Sequence, residues 1–398
     1  MNTTIDFKFT RIASIDVFRA ITMMFMIFVN DFFTDIDVPH WLEHAKVGED
    51  LLGFSDVIFP AFLFAVGLSI PFALEKRITK GDSFLKIGWH ITSRTIALIV
   101  MGLFTLNYLF SINYTGISVE SGISIPVFGI LMVIGFFLIW NLYPKANGWK
   151  KHLFVVLQII GVALLVYIAI VFRDGNGKNI QIHNWEFGVL ATIGWTYLSC
   201  TLIYLIFRKR LSVMLIILAA FILFRVFAYK LHYHGIIPGN GAYHSFTMAG
   251  IIVSLLCGKY GSTDKIKKLF SILILSGISM LLVGIWAHRW WIVSKLDQTI
   301  PFILICIGIN VLFYAFLYWL TDNKRKEHWF NIIKPAGTAT LTCYLLPYLV
   351  YSIFMILNFK SPELIIKFPI GLIKSMAFAL LIIWITALLG KIHIKLKV

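Results

Sequence analysis

Within residues 11–75, an apolar stretch is interrupted by groups that hydrocarbon disfavours: Asp16, Arg19, Asn30, His44 and Asp56. An imidazole can accept a proton or an acyl group near neutral pH, a carboxylate can orient it, and an amide can hold a carbonyl or an amine. Asn30 closes one apolar run, His44 sits in the connecting loop, and Asp56 opens the next run. An antiparallel hairpin brings the three to one level, which makes them candidates for proton or acyl transfer. A loop histidine also suits a plain solvated surface, so it is the convergence that singles out His44. Asp16 and Arg19, three apart, share one helical face near the other end of the first run, either as a structural ion pair or as part of a site.

The elements that must hold these groups are membrane helices. Of 398 residues 59% are hydrophobic and 14% charged, against about 45–50% apolar residues in soluble domains. A span needs roughly 20 apolar residues, and such runs recur at 13–33, 53–74, 89–111, 124–143, 152–172, 187–207, 211–230, 243–259, 267–290, 300–321, 336–357 and 367–390. They are continuous rather than alternating, so the expected fold is an all-α polytopic transmembrane bundle of about 12 spans (10–12) in a single domain, 1–398. The first run ends in Val29-Asn30-Asp31 rather than small residues, so it reads as a retained span and not a cleaved signal.

Cations set the orientation. With the N-terminus inside, most of the 35 Lys and Arg residues fall in cytoplasmic segments, while Asp31, Asp35, Asp37, Glu43, Glu49 and Asp50 fall outside. Both termini are therefore expected in the cytoplasm of a multi-pass plasma (inner) membrane protein. The net charge of +16 follows from this bias and from attraction to anionic lipid, with no nucleic-acid partner implied. Cys200, Cys257, Cys306 and Cys343 lie inside spans in no metal-ligand spacing, so no metal site is expected. His232 and His234 read as loop histidines, and Trp41, Trp185, Trp290 and Trp291 as an interfacial belt that can also stack on sugar rings. Arg225 lies inside a span, either contacting an anion or snorkelling outward.

Several of these pieces form a recognisable series. Arg11-Ile-Ala-Ser14-Ile-Asp16-Val-Phe18-Arg19, Val29-Asn30, His44-Ala45 and Asp56-Val-Ile-Phe59-Pro60-Ala-Phe62-Leu63-Phe64-Ala-Val-Gly67-Leu-Ser69-Ile70 resemble the opening of the heparan-α-glucosaminide N-acetyltransferase family and its bacterial relatives. Weaker echoes follow at Gly188-Val-Leu190, from Ser294-Lys295 to Gly308, and at Ala336-Gly337-Thr338-Ala-Thr340. The chain departs from the family pattern with Ala20 after Arg19, Val47 three after His44, and a wider spacing from His44 to Asp56.

The resemblance implies a transmembrane acetyltransferase that takes the acetyl group from cytoplasmic acetyl-CoA and delivers it to an amino sugar or glycan on the exterior face. It implies that His44 is catalytic, supported by Asn30, with Asp56 as a third member. Acetyl-CoA is then a co-substrate whose phosphates need cations beside the first hairpin, and Arg11, Arg19, Lys76, Arg77 and Arg94 are the candidates. A homodimer is compatible with these features. Two other readings stay open: an O-acyltransferase of surface glycans, and a secondary transporter or non-catalytic relative in which Asp16, Arg19 and Arg225 line a solute path.

Overall fold

A computed structural model describes residues 12–114, 123–145, 147–173, 179–180, 188–230, 240–261 and 265–397. Twelve helices of 16 residues or more occupy the twelve expected apolar segments: α1 (Ala13–Asn30), α2 (Phe54–Thr79), α3 (Phe84–Tyr114), α4 (Ile125–Trp140), α5 (Trp149–Val171), α6 (Gly188–Phe207), α7 (Leu211–Lys230), α8 (Ala242–Tyr260), α9 (Ile266–Ala287), α10 (Ile300–Tyr318), α12 (Thr340–Ile356) and α14 (Ile370–Lys391). The short helices α11 (Lys334–Thr338) and α13 (Glu363–Ile366) join the last three. Among the described residues nine helices are long and apolar enough to cross a membrane, and α4 and α12 are apolar but shorter. No strand forms among them; isolated bridges pair Ile36 with Lys367 and Asn141 with Leu396. This is a helical membrane protein.

Burial divides the helices by role. The apolar window of α10 is 72% buried and that of α1 67%, whereas α5 and α9 reach only 17% and 22%. Ile159, Ile170, Leu275 and Leu282 on those outer helices are exposed, as hydrocarbon permits and water does not. The chain thus places α1, α2, α8 and α10 inside and sets an apolar palisade around them.

The first hairpin is not held chiefly by its own two helices. α2 packs along α8, where two glycines meet. A Cβ on Gly67 would lie 2.0 Å from the Thr247 carbonyl oxygen, and one on Gly250 would lie 2.2 Å from that of Phe64. Without a hydrophobic drive between helices in lipid, such close backbone approach supplies the van der Waals contact that pairs them. Thr247 Oγ1 also donates to the Leu63 carbonyl at 3.2 Å.

α2 carries a buried carboxylate at each end. Near its finish, Glu75 accepts from Arg208 Nε and Nη2 (2.7 Å each), faces Lys209 Nζ at 3.2 Å and accepts from the Tyr204 hydroxyl at 3.2 Å. That bidentate pair fastens α2 to the end of α6. Asp56 stands nineteen residues earlier, about 28 Å away at helical rise, close to the ~30 Å of a hydrocarbon core. The start of α1 is capped from afar: Asp322 accepts from the Ala13 and Ser14 amides at 2.9 and 2.8 Å.

Asp31 and Asp35, which the sequence places on the exterior side, have buried carboxylates. Lys374 Nζ lies 2.9 Å from Asp31 and 2.5 Å from Asp35, Ser375 Oγ lies 2.7 and 2.8 Å from their Oδ2 atoms, and the Tyr351 hydroxyl donates to Asp31 at 2.5 Å. The first turn after α1 is thereby tied to α12 and α14. Their placement follows from a lysine more than 330 residues away, which sequence spacing does not reveal.

Gly250→Ala should force α2 and α8 apart and lower stability by about 1–3 kcal/mol. Gly88→Ala, where nothing lies within 4 Å of the added carbon, should hold stability or raise it by up to ~1 kcal/mol. Thermal unfolding of the two variants in one detergent checks this; equal losses would remove the α2–α8 seam from its role.

Candidate active site

Helix α2 opens with donors that its own turns cannot satisfy. The Phe54 amide donates to the Trp41 carbonyl at 2.8 Å, and the Ser55 amide and hydroxyl donate to the Leu42 carbonyl at 3.2 and 2.5 Å. The loop before the helix is therefore the cap of the helix. Gly53 sits where this loop crosses itself: a Cβ there would lie 1.9 Å from the Glu43 carbonyl oxygen. No side chain fits at that position, and the crossing puts His44 over the end of α2.

Asp56, in the first turn of α2, is buried, and its carboxylate gathers four donors. Oδ2 accepts from the Gly53 and Ala45 amides, each at 3.1 Å. Oδ1 accepts from His44 Nδ1 at 2.7 Å and faces Lys295 Nζ at 3.4 Å. Lys295 Nζ also lies 3.0 Å from His44 Nδ1. An ionised carboxylate only accepts, so the imidazole proton of a neutral His44 belongs on Nδ1, leaving Nε2 as a bare acceptor. The His44 side chain is 50% exposed, and no hydrogen bond from the described residues reaches Nε2. A buried acid thus orients a half-exposed imidazole whose Nε2 accepts no hydrogen bond among the described residues, the relation that general-base and nucleophilic histidines require.

The His44 loop has almost no regular structure, yet it is fastened at several points. The Ile36 amide donates to the Ile366 carbonyl at 2.8 Å and the Phe368 amide to the Ile36 carbonyl at 3.0 Å. Within the loop, His40 Nε2 meets Glu49 Oε1 at 2.5 Å. Farther on, Asp50 accepts from His288 Nε2 at 2.6 Å and from the Val293 amide at 2.8 Å. The His288 hydrogen bond, and after it the Val293 amide, hold the Asp50 carboxyl below the usual aspartate range. The Asp50 contacts bind the loop to the end of α9 and the segment leading to α10, the segment that carries Lys295. Burial pushes the Lys295 amine below the ordinary lysine value, with the Asp56 charge opposing the shift.

The sequence candidates separate. His44 and Asp56 come together as expected. Asn30 is exposed at the last residue of α1 and makes no hydrogen bond to either among the described residues. Lys295 is not a site residue in the sequence reading, because it stands 251 positions from His44. The one signal for it was its place in the weak echo beginning at Ser294. Arg225, left open between anion contact and snorkelling, donates instead to the backbone carbonyls of Asp297 and Gln298.

At the opposite end, Arg19 pairs with Asp16 at 2.9 Å and Arg77 with Asp82 at 3.1 Å, while Lys76 is exposed. Arg94 lies over the Tyr197 ring at 4.6 Å, and its buried Nε has no hydrogen-bond partner among the described residues. The charges of Arg77, Arg94 and Lys397 all reach His90. An unmatched guanidinium nitrogen beside other cations fits a phosphate-bearing ligand. Arg11, His183, Trp185, His232 and His234 lie outside the described residues.

The low carboxyl value of Asp50 has a defined sign. A carboxyl depressed in the folded state adds stability above its unfolded value, near 3.9, and loses it as pH falls through the folded value. The loop should therefore stay fastened from neutral pH down to about 4 and open below. Hydrogen exchange at the Val293 amide, corrected for intrinsic rate, should show that acid-side opening, and Asp50→Asn should open the amide at every pH. Unchanged protection in the variant would detach Asp50 from the loop.

Comparison with known proteins adds a family without a chemistry. No curated protein matches the sequence. A family described as a domain of unknown function, DUF5009, matches residues 11–232, more than half of the chain, and covers α1 through α7 together with the His44 loop and Asp56. Lys295 and the helices after α7 lie beyond the matched region. On that match this helical membrane protein belongs to the DUF5009 family.

Proposed function

We propose that this protein is a transmembrane acetyltransferase that uses acetyl-CoA from the cytoplasm and acetylates an amino sugar or related glycan on the exterior face. The observation that carries the reading is the 2.7 Å pairing of half-exposed His44, through Nδ1, with buried Asp56 at one end of the bundle. The resemblance of residues 11–75 to the N-acetyltransferase family supplies the reaction class. In this reading both termini are cytoplasmic, the twelve long helices span the inner membrane, and the His44 end is exterior.

His44 Nε2 can act in either of two ways. It can take the proton from an acceptor amine as that nitrogen attacks the thioester carbon, expelling CoA thiolate; or it can attack that carbon itself and yield the acetyl group to the amine. In both, Asp56 holds the ring and stabilises the charge it gains. Lys295 adds a cation at the same oxygen and tempers that stabilisation. Exposed Asn30 is free to meet the acceptor. Arg94, which shares the His90 neighbourhood with Arg77 and Lys397, is suited to the CoA phosphates.

Two features weigh against a solute path through the mid-span charges. Asp16 pairs with Arg19 within one helix, and Arg225 is spent on loop carbonyls. A transporter would move an intact solute into proteoliposomes and consume no CoA.

Release of free CoA from acetyl-CoA, measured with a panel of amino sugars and sugars, tests the proposal. His44→Ala and Asp56→Asn should each lower acceptor-dependent release by ~10²-fold or more, and the double variant should cost far less than the product, since the two act as a unit. In sealed vesicles acetyl-CoA should work only from the face that carries Arg94. Full turnover by His44→Ala, or no acceptor-dependent release from folded wild type, would end this reading.

A further inference from the structure

Arg225 lies in α7, is 7% exposed, and sits in a run that is otherwise apolar. A guanidinium in that position needs a strong reason. Its Nε donates to the Gln298 carbonyl at 2.8 Å, and its Nη2 donates to the adjacent carbonyl of Asp297. The fork geometry of arginine suits two carbonyls in succession, which lysine cannot span as well.

Those carbonyls close the turn that presents Lys295. Gln298 holds a left-handed φ of +49°, uncommon for a residue with a side chain, and such a conformation persists only when its surroundings impose it. Here they do. Asn240 Nδ2 donates to Gln298 Oε1 at 2.6 Å, and Gln298 Nε2 donates to the Tyr243 hydroxyl at 3.1 Å. The turn is also braced from within: the Gln298 amide donates to the Lys295 carbonyl and the Thr299 amide to the Ser294 carbonyl, each at 3.1 Å, while Ser294 Oγ donates to Asp297 Oδ2 at 2.8 Å. Lys295 at its crest then reaches Asp56 and His44.

We propose that Arg225 is a positioning residue for the candidate active site, locking the 294–299 turn so that Lys295 Nζ is delivered to the shared oxygen of Asp56 beside His44. It acts through Lys295, by way of the turn's backbone carbonyls. This rests on His44, Asp56 and Lys295 forming the site proposed above. The arrangement makes α7 and the start of α8, which contribute no side chain to the His44–Asp56 pair, part of its support.

The test reads Lys295 directly, with or without enzyme turnover. Purified full-length protein is pulsed with acetic anhydride across pH 6–11, and labelling at Lys295 is followed by mass spectrometry. The charged group facing Lys295 is Asp56; the titratable groups beside it are His44 and, on α10, the buried thiol of Cys306. In wild type the labelling midpoint should fall below that of a surface lysine. Arg225→Gln should free the turn, let water reach the amine, and raise the midpoint by about one pH unit. Arg225→Lys, which keeps the charge and one donor direction, should give an intermediate shift. Tyr108→Phe, which deletes a 2.7 Å hydrogen bond to Ser352 elsewhere in the bundle, should destabilise the fold and leave the midpoint unchanged.

A wild-type midpoint in folded Arg225→Gln would overturn the proposal. If that variant does not fold, a wild-type midpoint in Arg225→Lys overturns it equally, and so does a matching shift in Tyr108→Phe. A parallel assay of CoA release should show turnover falling tenfold or more in Arg225→Gln with the KM for acetyl-CoA unchanged. Should wild type itself release no CoA, the acetyltransferase reading fails while the labelling result still decides the place of Arg225.

Discussion

A carboxylate removed from water costs several kcal/mol unless donors replace its hydration. At Asp56 the donors come from three separated stretches: the Gly53 amide at the start of its own helix, the Ala45 amide with the His44 ring in the preceding loop, and Lys295 from beyond α9. Meeting that demand places His44. The loop must cross over the end of α2 for the Ala45 amide to reach Oδ2, and once it does, the imidazole has one orientation in which Nδ1–H meets Oδ1. The same carboxylate answers the unsatisfied amides and positive dipole of a helix start. Helix capping and base orientation are one interaction here.

The constraint extends through α2 as a rigid element. Glu75 is fixed to α6 at the far end, and the Gly67–Gly250 contact seats the helix against α8 midway. Both buried acids would suffer from any sliding of α2, since each would exchange short charge-assisted contacts for apolar surroundings. The His44 end and the cation-rich end are thus held at a fixed separation close to the thickness of a bilayer core. A reaction that draws one substrate from each side of a membrane needs that geometry, and the proposed acetyl transfer makes use of it.

The ordering of the His44 loop shows how irregular backbone is held without a sheet. Asp50 binds it to His288 and Val293, the Ile36 backbone pairs with the 366–368 segment, and Asp31 and Asp35 are drawn inward by Lys374 and Ser375. Arg225 steadies the 294–299 turn against which the site closes. Long side chains from distant helices thereby replace the local hydrogen bonds that the loop lacks.

How much was legible in the chain follows from which forces are local. Length and continuity of apolar runs, judged against bilayer thickness, located all twelve long helices, because a buried backbone in lipid must satisfy itself within its own segment. The cost of ions in hydrocarbon singled out Asp56, and the short separation along the chain put His44 beside it. Lys295 escaped notice because it lies 251 positions from His44, and Asp322 as the cap of α1 because it lies 309 positions from Ala13. The sequence put Asp31 and Asp35 on the exterior side but did not reveal their burial against Lys374, and it left Arg225 between anion contact and snorkelling, without its carbonyl partners. Those outcomes depend on which helices become neighbours, and that is decided by glycine seams such as Gly67–Gly250 and by donors meeting acceptors across the bundle, quantities that exist only once the chain has folded.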